Sequence, residues 1–109
     1  RYPNLVERIH AEGHEGGVHG YIHKKPSDLS DLEEETALVK TCRILKDITG
    51  VQPTGYRSPW WDMKVSTPAL LARHDMRYDS SLMDDDAPYT LKTESGDLVE
   101  LPLHWTNDD

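Results

Sequence analysis

Residues 30–50, SDLEEETALVKTCRILKDITG, carry signals for both ends of one helix. Ser30 and Glu33 have the spacing of a reciprocal capping box, and acidic residues crowd the first turn where the helix dipole favours them. Leu38, Cys42, Leu45 and Ile48 recur at helical spacing, and Gly50 is placed to end the run. A helix of that length constrains whatever flanks it. On one side His14–Val18 reads as extended, weakened by two glycines, and on the other Pro53 forces an extended segment leading into a strand over Thr54–Arg57.

The same alternation runs along the chain. Pro3 opens a helix over Pro3–Glu12 with Leu5, Val6 and Ile9 on one side and Gly13 at its end. Ser66, Thr67 and Pro68 start another, with Pro68 at its first position and Leu70 and Leu71 facing inward. Met76–Ser81 and Leu98–Leu103 read as further strands, and Pro102 suits a sheet edge or a strand end. Strands separated by helices imply parallel pairing through right-handed crossovers, so the fold class is α/β. A closed barrel of this kind takes about 250 residues. Four or five strands in 109 residues leave an open sheet edge, so a single partial domain over 1–109 is expected. MDDDAP at 83–88 reads as a short acidic loop.

Charge and cysteine content narrow the partners. A net charge of −8 opposes a phosphate-rich ligand, so nucleic acid is not expected. No apolar run approaches the roughly 20 residues of a membrane span, so no membrane partner is expected. Cys42 is the single cysteine, which excludes an internal disulfide and a cysteine-based zinc knuckle; among Leu38, Leu45 and Ile48 it reads as a small buried residue, not a nucleophile.

The polar residues follow the strands. His19 and His23 come after the first extended run, Arg57 after the second, Asp79 near the end of the third and His104 after the last. In α/β sheets the carboxyl rim is where chemistry is built. His19 and His23, four apart, place two imidazoles on one side of a helical turn, close enough to share an ion. Taken alone, that spacing equally fits surface or capping histidines. A catalytic zinc takes a third protein ligand, and Asp79, Asp84, Asp85, Asp86, Asp108 and Asp109 are all candidates that no spacing separates.

In order along the chain, HEGGVHGYIH, GYRSPWW, YDSSLMDDDAPY and ELPLHW resemble successive motifs of the polysaccharide deacetylase superfamily, the NodB-homology domains, in a subgroup that includes peptidoglycan deacetylase-like and allantoinase-like hydrolases. The resemblance implies a fragment of a distorted, seven-stranded (β/α) barrel. It makes His19 and His23 ligands of a divalent metal, zinc above all, and His104 the acid that protonates the leaving amine. By the same likeness Arg57 orients the base carboxylate, and Asp79 holds a histidine in its useful tautomer. Pro59, Trp60 and Tyr21 are grouped with the substrate, while one of Trp60 and Trp61 is expected to bury in the core. The family's first motif, an aspartate pair supplying the third ligand and the general base, is expected upstream of Arg1, and the C-terminal end of the domain is expected to follow. His10, His14 and His74 receive no role.

The implied function is metal-dependent hydrolysis of a non-peptide C–N bond, with N-deacetylation of an N-acetylated polysaccharide or peptidoglycan sugar in front. Hydrolysis of a cyclic imide or ureide such as allantoin on the same barrel, and a non-catalytic carbohydrate-binding barrel segment, are the alternatives. The expected partners are an N-acetylated carbohydrate or small amide and the rest of the catalytic domain, with a homo-oligomer left open.

Overall fold

The computed structural model describes residues 1–107, so Asp108 and Asp109 lie outside the described residues. Helix α1 spans Pro3–Ala11, α2 Asp31–Thr49 and α3 Thr67–Arg73. Strands are β1 Gly55–Tyr56, β2 Tyr78–Asp79, β3 Tyr89–Thr93 and β4 Gly96–Glu100.

The ends of α2 form as its sequence predicts. Ser30 Oγ accepts from Glu33 N at 3.1 Å, Ser30 N donates to the Glu33 carboxylate at 2.8 Å, and Gly50 closes the helix at φ 75°, a conformation open to glycine. Helix α3 differs in detail: Pro68 is its second residue, and Thr67, not Ser66, makes the polar contacts there. Thr67 Oγ1 donates to buried Glu34 of α2 at 2.6 Å, and Lys64 closes on the same carboxylate at 2.9 Å, which ties the two helices together.

The sheet order is β1-β2-β4-β3, and a parallel bridge from Val18 to Tyr56 extends it beyond β1. Val18, β1, β2 and β4 all run parallel, as the alternation of helix and strand requires. The expectation of a wholly parallel sheet is corrected by β3, which pairs antiparallel with β4 from Tyr89↔Glu100 to Thr93↔Gly96. Only two residues, Glu94 and Ser95, join them, and so short a loop can connect only antiparallel strands. Pro102 lies just past the end of β4.

Parallel register sorts the side chains into two faces. Val18, Tyr56, Asp79 and Glu100 stand side by side across the sheet, and all four are buried. Their face meets α2 and α3 in a core of Val18, Leu38, Cys42, Tyr56, Leu70, Leu71, Met76 and Leu98. Because successive strand residues point to opposite faces, their neighbours Gly55, Arg57, Tyr78 and Ser80 look the other way.

Candidate metal centre

The second face opens into a cavity of about 600 Å³ whose wall includes His19, His23, Arg57, Trp60, Trp61 and Tyr78. Val18 fixes the first of these. Its N–H donates to Gly55 O at 2.8 Å and its carbonyl accepts from Arg57 N at 2.9 Å, which leaves His19 beside the end of β1. The chain then doubles back. Gly20 adopts φ 69° with Pro59 packed so closely that a Cβ would lie 2.7 Å from the ring Cγ, and His23 is itself left-handed at φ 57°. This turn, rather than a helix, brings the two imidazoles together: their Nε2 atoms are 3.1 Å apart, with ring centroids at 4.9 Å.

His19 Nδ1 lies 2.8 Å from the main-chain oxygen of Arg57. A carbonyl only accepts, so Nδ1 carries the proton and Nε2 keeps its lone pair in the neutral ring. Such a bond is how proteins orient a metal-ligating imidazole. The indole of Trp60 sits edge-on to His23 at 5.6 Å, and Lys25 Nζ stands 5.9 Å from the indole centroid. Trp60 and Trp61 are consecutive left-handed residues at φ 61° and 53°, and both remain exposed. The expectation that one tryptophan buries in the core is therefore corrected: the turn after Pro59 throws both indoles outward onto the cavity rim.

Arg57 extends along the same rim, where its Nε donates to Ser80 O and its Nη2 to Ser80 Oγ, both at 3.0 Å. Tyr78 lies flat across Gly55 and donates its hydroxyl to Glu15 at 2.7 Å. That carboxylate, with burial in support, pushes the phenol up to about 12, so it stays protonated.

The polysaccharide deacetylase family profile matches residues 1–78. The chain belongs to the polysaccharide deacetylase family. It is 36% identical over 132 aligned positions to the peptidoglycan deacetylase of Helicobacter pylori, covering 99% of this chain and 45% of that protein. A crystal structure from Mycobacterium smegmatis assigned as a polysaccharide deacetylase superposes with a TM-score of 0.92 at 42% identity, over 96% of this chain and 37% of that one. The crystal structure of the allantoinase Puue superposes at 0.83 with 26% identity, over 95% and 35%. The chain thus spans less than half the length of these relatives.

In this polysaccharide deacetylase segment the histidine pair fits a divalent cation. Two nitrogens about 2.0–2.1 Å from a tetrahedral zinc lie roughly 3.3 Å apart, close to the 3.1 Å between these Nε2 atoms. Among the described residues no group of three His, Cys, Asp or Glu side chains is arranged to hold a metal. Asp79 faces the helices, and Asp84, Asp85 and Asp86 line a different cavity, so none of them joins the pair.

Other expected site residues are placed apart. His104 stands beyond the same carboxyl end of the sheet but opens into that neighbouring cavity of about 460 Å³, with Asp84–Asp86. Its Nδ1 is 2.7 Å from Thr106 Oγ1 and its ring stacks on Trp105. Asp79 does not reach a histidine: its carboxylate accepts from Ser81 N at 3.0 Å and Ser81 Oγ at 2.7 Å on the opposite face of the sheet. Tyr21 leans over the far side of its loop, where Lys40 Nζ sits 4.1 Å above its ring, and lines an apolar cavity against α2 instead. Pro59 is buried behind the tryptophan turn against Gly20. Sequence reasoning missed Ser80 and Tyr78. The alternation Tyr78, Ser80 opposite Gly55, Arg57 was the available signal, readable once the parallel register is known.

Proposed function

We propose that the protein containing this chain is a metal-dependent hydrolase that removes acetyl groups from an N-acetylated sugar of peptidoglycan or a related polysaccharide. The observation that carries the reading is the convergence of His19 and His23 at 3.1 Å, with His19 oriented by a backbone carbonyl on the carboxyl rim of a parallel sheet. The named activity of the Helicobacter pylori relative supports the substrate class. In this reading the strands described above form part of a distorted, seven-stranded (β/α) barrel.

His19 and His23 hold the cation, zinc by preference for imidazole, through Nε2. When bound, it supplies Lewis acidity toward the amide carbonyl and lowers the pKa of a water to about 7. In this reading the third ligand and the base come from residues other than the described ones. Arg57, anchored on Ser80, orients the base carboxylate through its fixed charge. Trp60 offers an apolar face to the sugar ring beside His23. His104, steadied through Nδ1 by Thr106, gives the proton that the departing sugar nitrogen takes up as its C–N bond breaks and acetate leaves.

Acetate release from chito-oligosaccharides and peptidoglycan fragments by the full-length protein tests this. Strong turnover is expected, and His104→Ala should lower kcat by about 10²- to 10⁴-fold. The superposition on the allantoinase favours one second reading, hydrolysis of a cyclic ureide or imide. Turnover of allantoin or simple imides, with none of the N-acetyl sugars, would select it.

A further inference from the structure

On the face of the sheet opposite the histidine cavity, the fold buries a pair of carboxyl groups. Asp79 and Glu100 are register partners on β2 and β4, and both are 0% exposed. Glu100 Oε1 accepts from Leu82 N at 3.0 Å, whereas its buried Oε2 receives no donor among the described residues. Two ionised carboxylates side by side on adjacent strands only accept, so they repel and leave that oxygen unpaired. Among the described residues no ion pair reaches either. A proton on Glu100 Oε2, donated to Asp79, removes both difficulties. Burial first, and then the Asp79 carboxyl beside it, push the Glu100 carboxyl up to about 8.

Among the described residues, no salt bridge links a cation of the neighbouring strands or helix to the pair. Tyr56 stands beside Asp79 on β1, and Tyr89 stands opposite Glu100 on β3 with its hydroxyl on Asp84. On α3, which packs over β4, Arg73 and His74 are both bonded to Glu35.

The bonds of the pair lead to the rim. Asp79 holds Ser81, whose Oγ accepts from Ser58 N at 2.9 Å, one residue past Arg57. Ser80, between Asp79 and Ser81, receives the Arg57 guanidinium and donates its hydroxyl to Leu101 O at 2.8 Å, one residue past Glu100. Three rim segments, after β1, β2 and β4, are thereby laced together from beneath.

We propose that Asp79 and Glu100 share a single proton and act as a positioning pair, fixing these three segments and with them the Arg57 guanidinium for the deacetylation chemistry. The catalytic part rests on the function proposed above.

Two measurements on the full-length protein test it. A carboxyl whose pKa is raised on folding stabilises fully below its ordinary 4.5, and that contribution is lost as pH rises to about 8. Glu100→Gln keeps one donor and one acceptor but does not titrate. Between those limits the unfolding constant of the wild type should therefore grow relative to that of Glu100→Gln, by up to about tenfold per pH unit. Parallel pH curves would overturn the shared proton. In turnover, Glu100→Ala should lose roughly tenfold or more in kcat with KM and metal content unchanged, and Glu100→Gln should restore most of it. Equal losses in both variants, or a loss confined to KM, would overturn the positioning role. If Glu100→Ala does not fold, the comparison of wild type with Glu100→Gln decides alone. A wild type that releases no acetate from any N-acetyl sugar defeats the deacetylase reading and the catalytic role with it, whereas the pH comparison needs no substrate and still judges the pair.

Discussion

His19 Nδ1 and the main-chain oxygen of Arg57 are 2.8 Å apart, although 38 positions separate them in the chain. The parallel bridge of Val18 to Tyr56 brings them together, since each residue follows its bridge partner by one. A backbone contact therefore sets the tautomer of one imidazole, and no side-chain change at Arg57 removes it. The histidine pair and the rim arginine form one unit, held by the sheet.

Gly55 leaves room for nothing but hydrogen. A Cβ there would lie 2.1 Å from Cζ of Tyr78, whose hydroxyl is pinned on Glu15. Gly55→Ala should destabilise by about 1–3 kcal/mol, as overpacking does, and Tyr78→Ala in the same chain should recover much of the loss. Urea unfolding of the single and double variants reads this directly; additive effects would mean that the clash is relieved elsewhere.

Burial pushes the Cys42 thiol above its ordinary pKa, which lowers the thiolate fraction at any given pH. Alkylation of the folded protein at pH 8 should be at least roughly tenfold slower than in denaturant, with reactivity rising only at more alkaline pH. Equal rates would show Cys42 to be accessible and unperturbed.

Trp60 stands exposed beside His23 on a left-handed backbone that a tryptophan rarely adopts. If it carries the sugar ring, Trp60→Ala should forfeit about 1 kcal/mol or more of binding, a roughly five- to tenfold rise in KM with kcat little changed. Steady-state kinetics on chito-oligosaccharides separate the two parameters, and a change confined to kcat would take Trp60 out of substrate binding.

Much of this molecule is legible in its sequence. Ser30, Glu33 and Gly50 announce α2 because capping is local, and the HEGGVHGYIH, GYRSPWW, YDSSLMDDDAPY and ELPLHW motifs point to a family that the comparisons bear out. What the sequence hides is register. Asp79 and Ser80 are adjacent in YDSSL, yet strand alternation sends the serine to the rim and the aspartate beneath the sheet. The β3–β4 hairpin escapes because its Glu94-Ser95 loop lacks the usual Asn-Gly or Asp-Gly signal. The histidines meet through left-handed turns at Gly20 and His23, a geometry that a four-residue spacing does not encode.

The most direct test of the central claim is the metal content of the full-length protein after exhaustive dialysis, in the wild type and in His19→Ala and His23→Ala. One divalent ion per chain is expected in the wild type, with loss of most of it in either variant while the fold persists. Retention of the ion at wild-type stoichiometry in both variants would contradict a metal centre built on these two imidazoles.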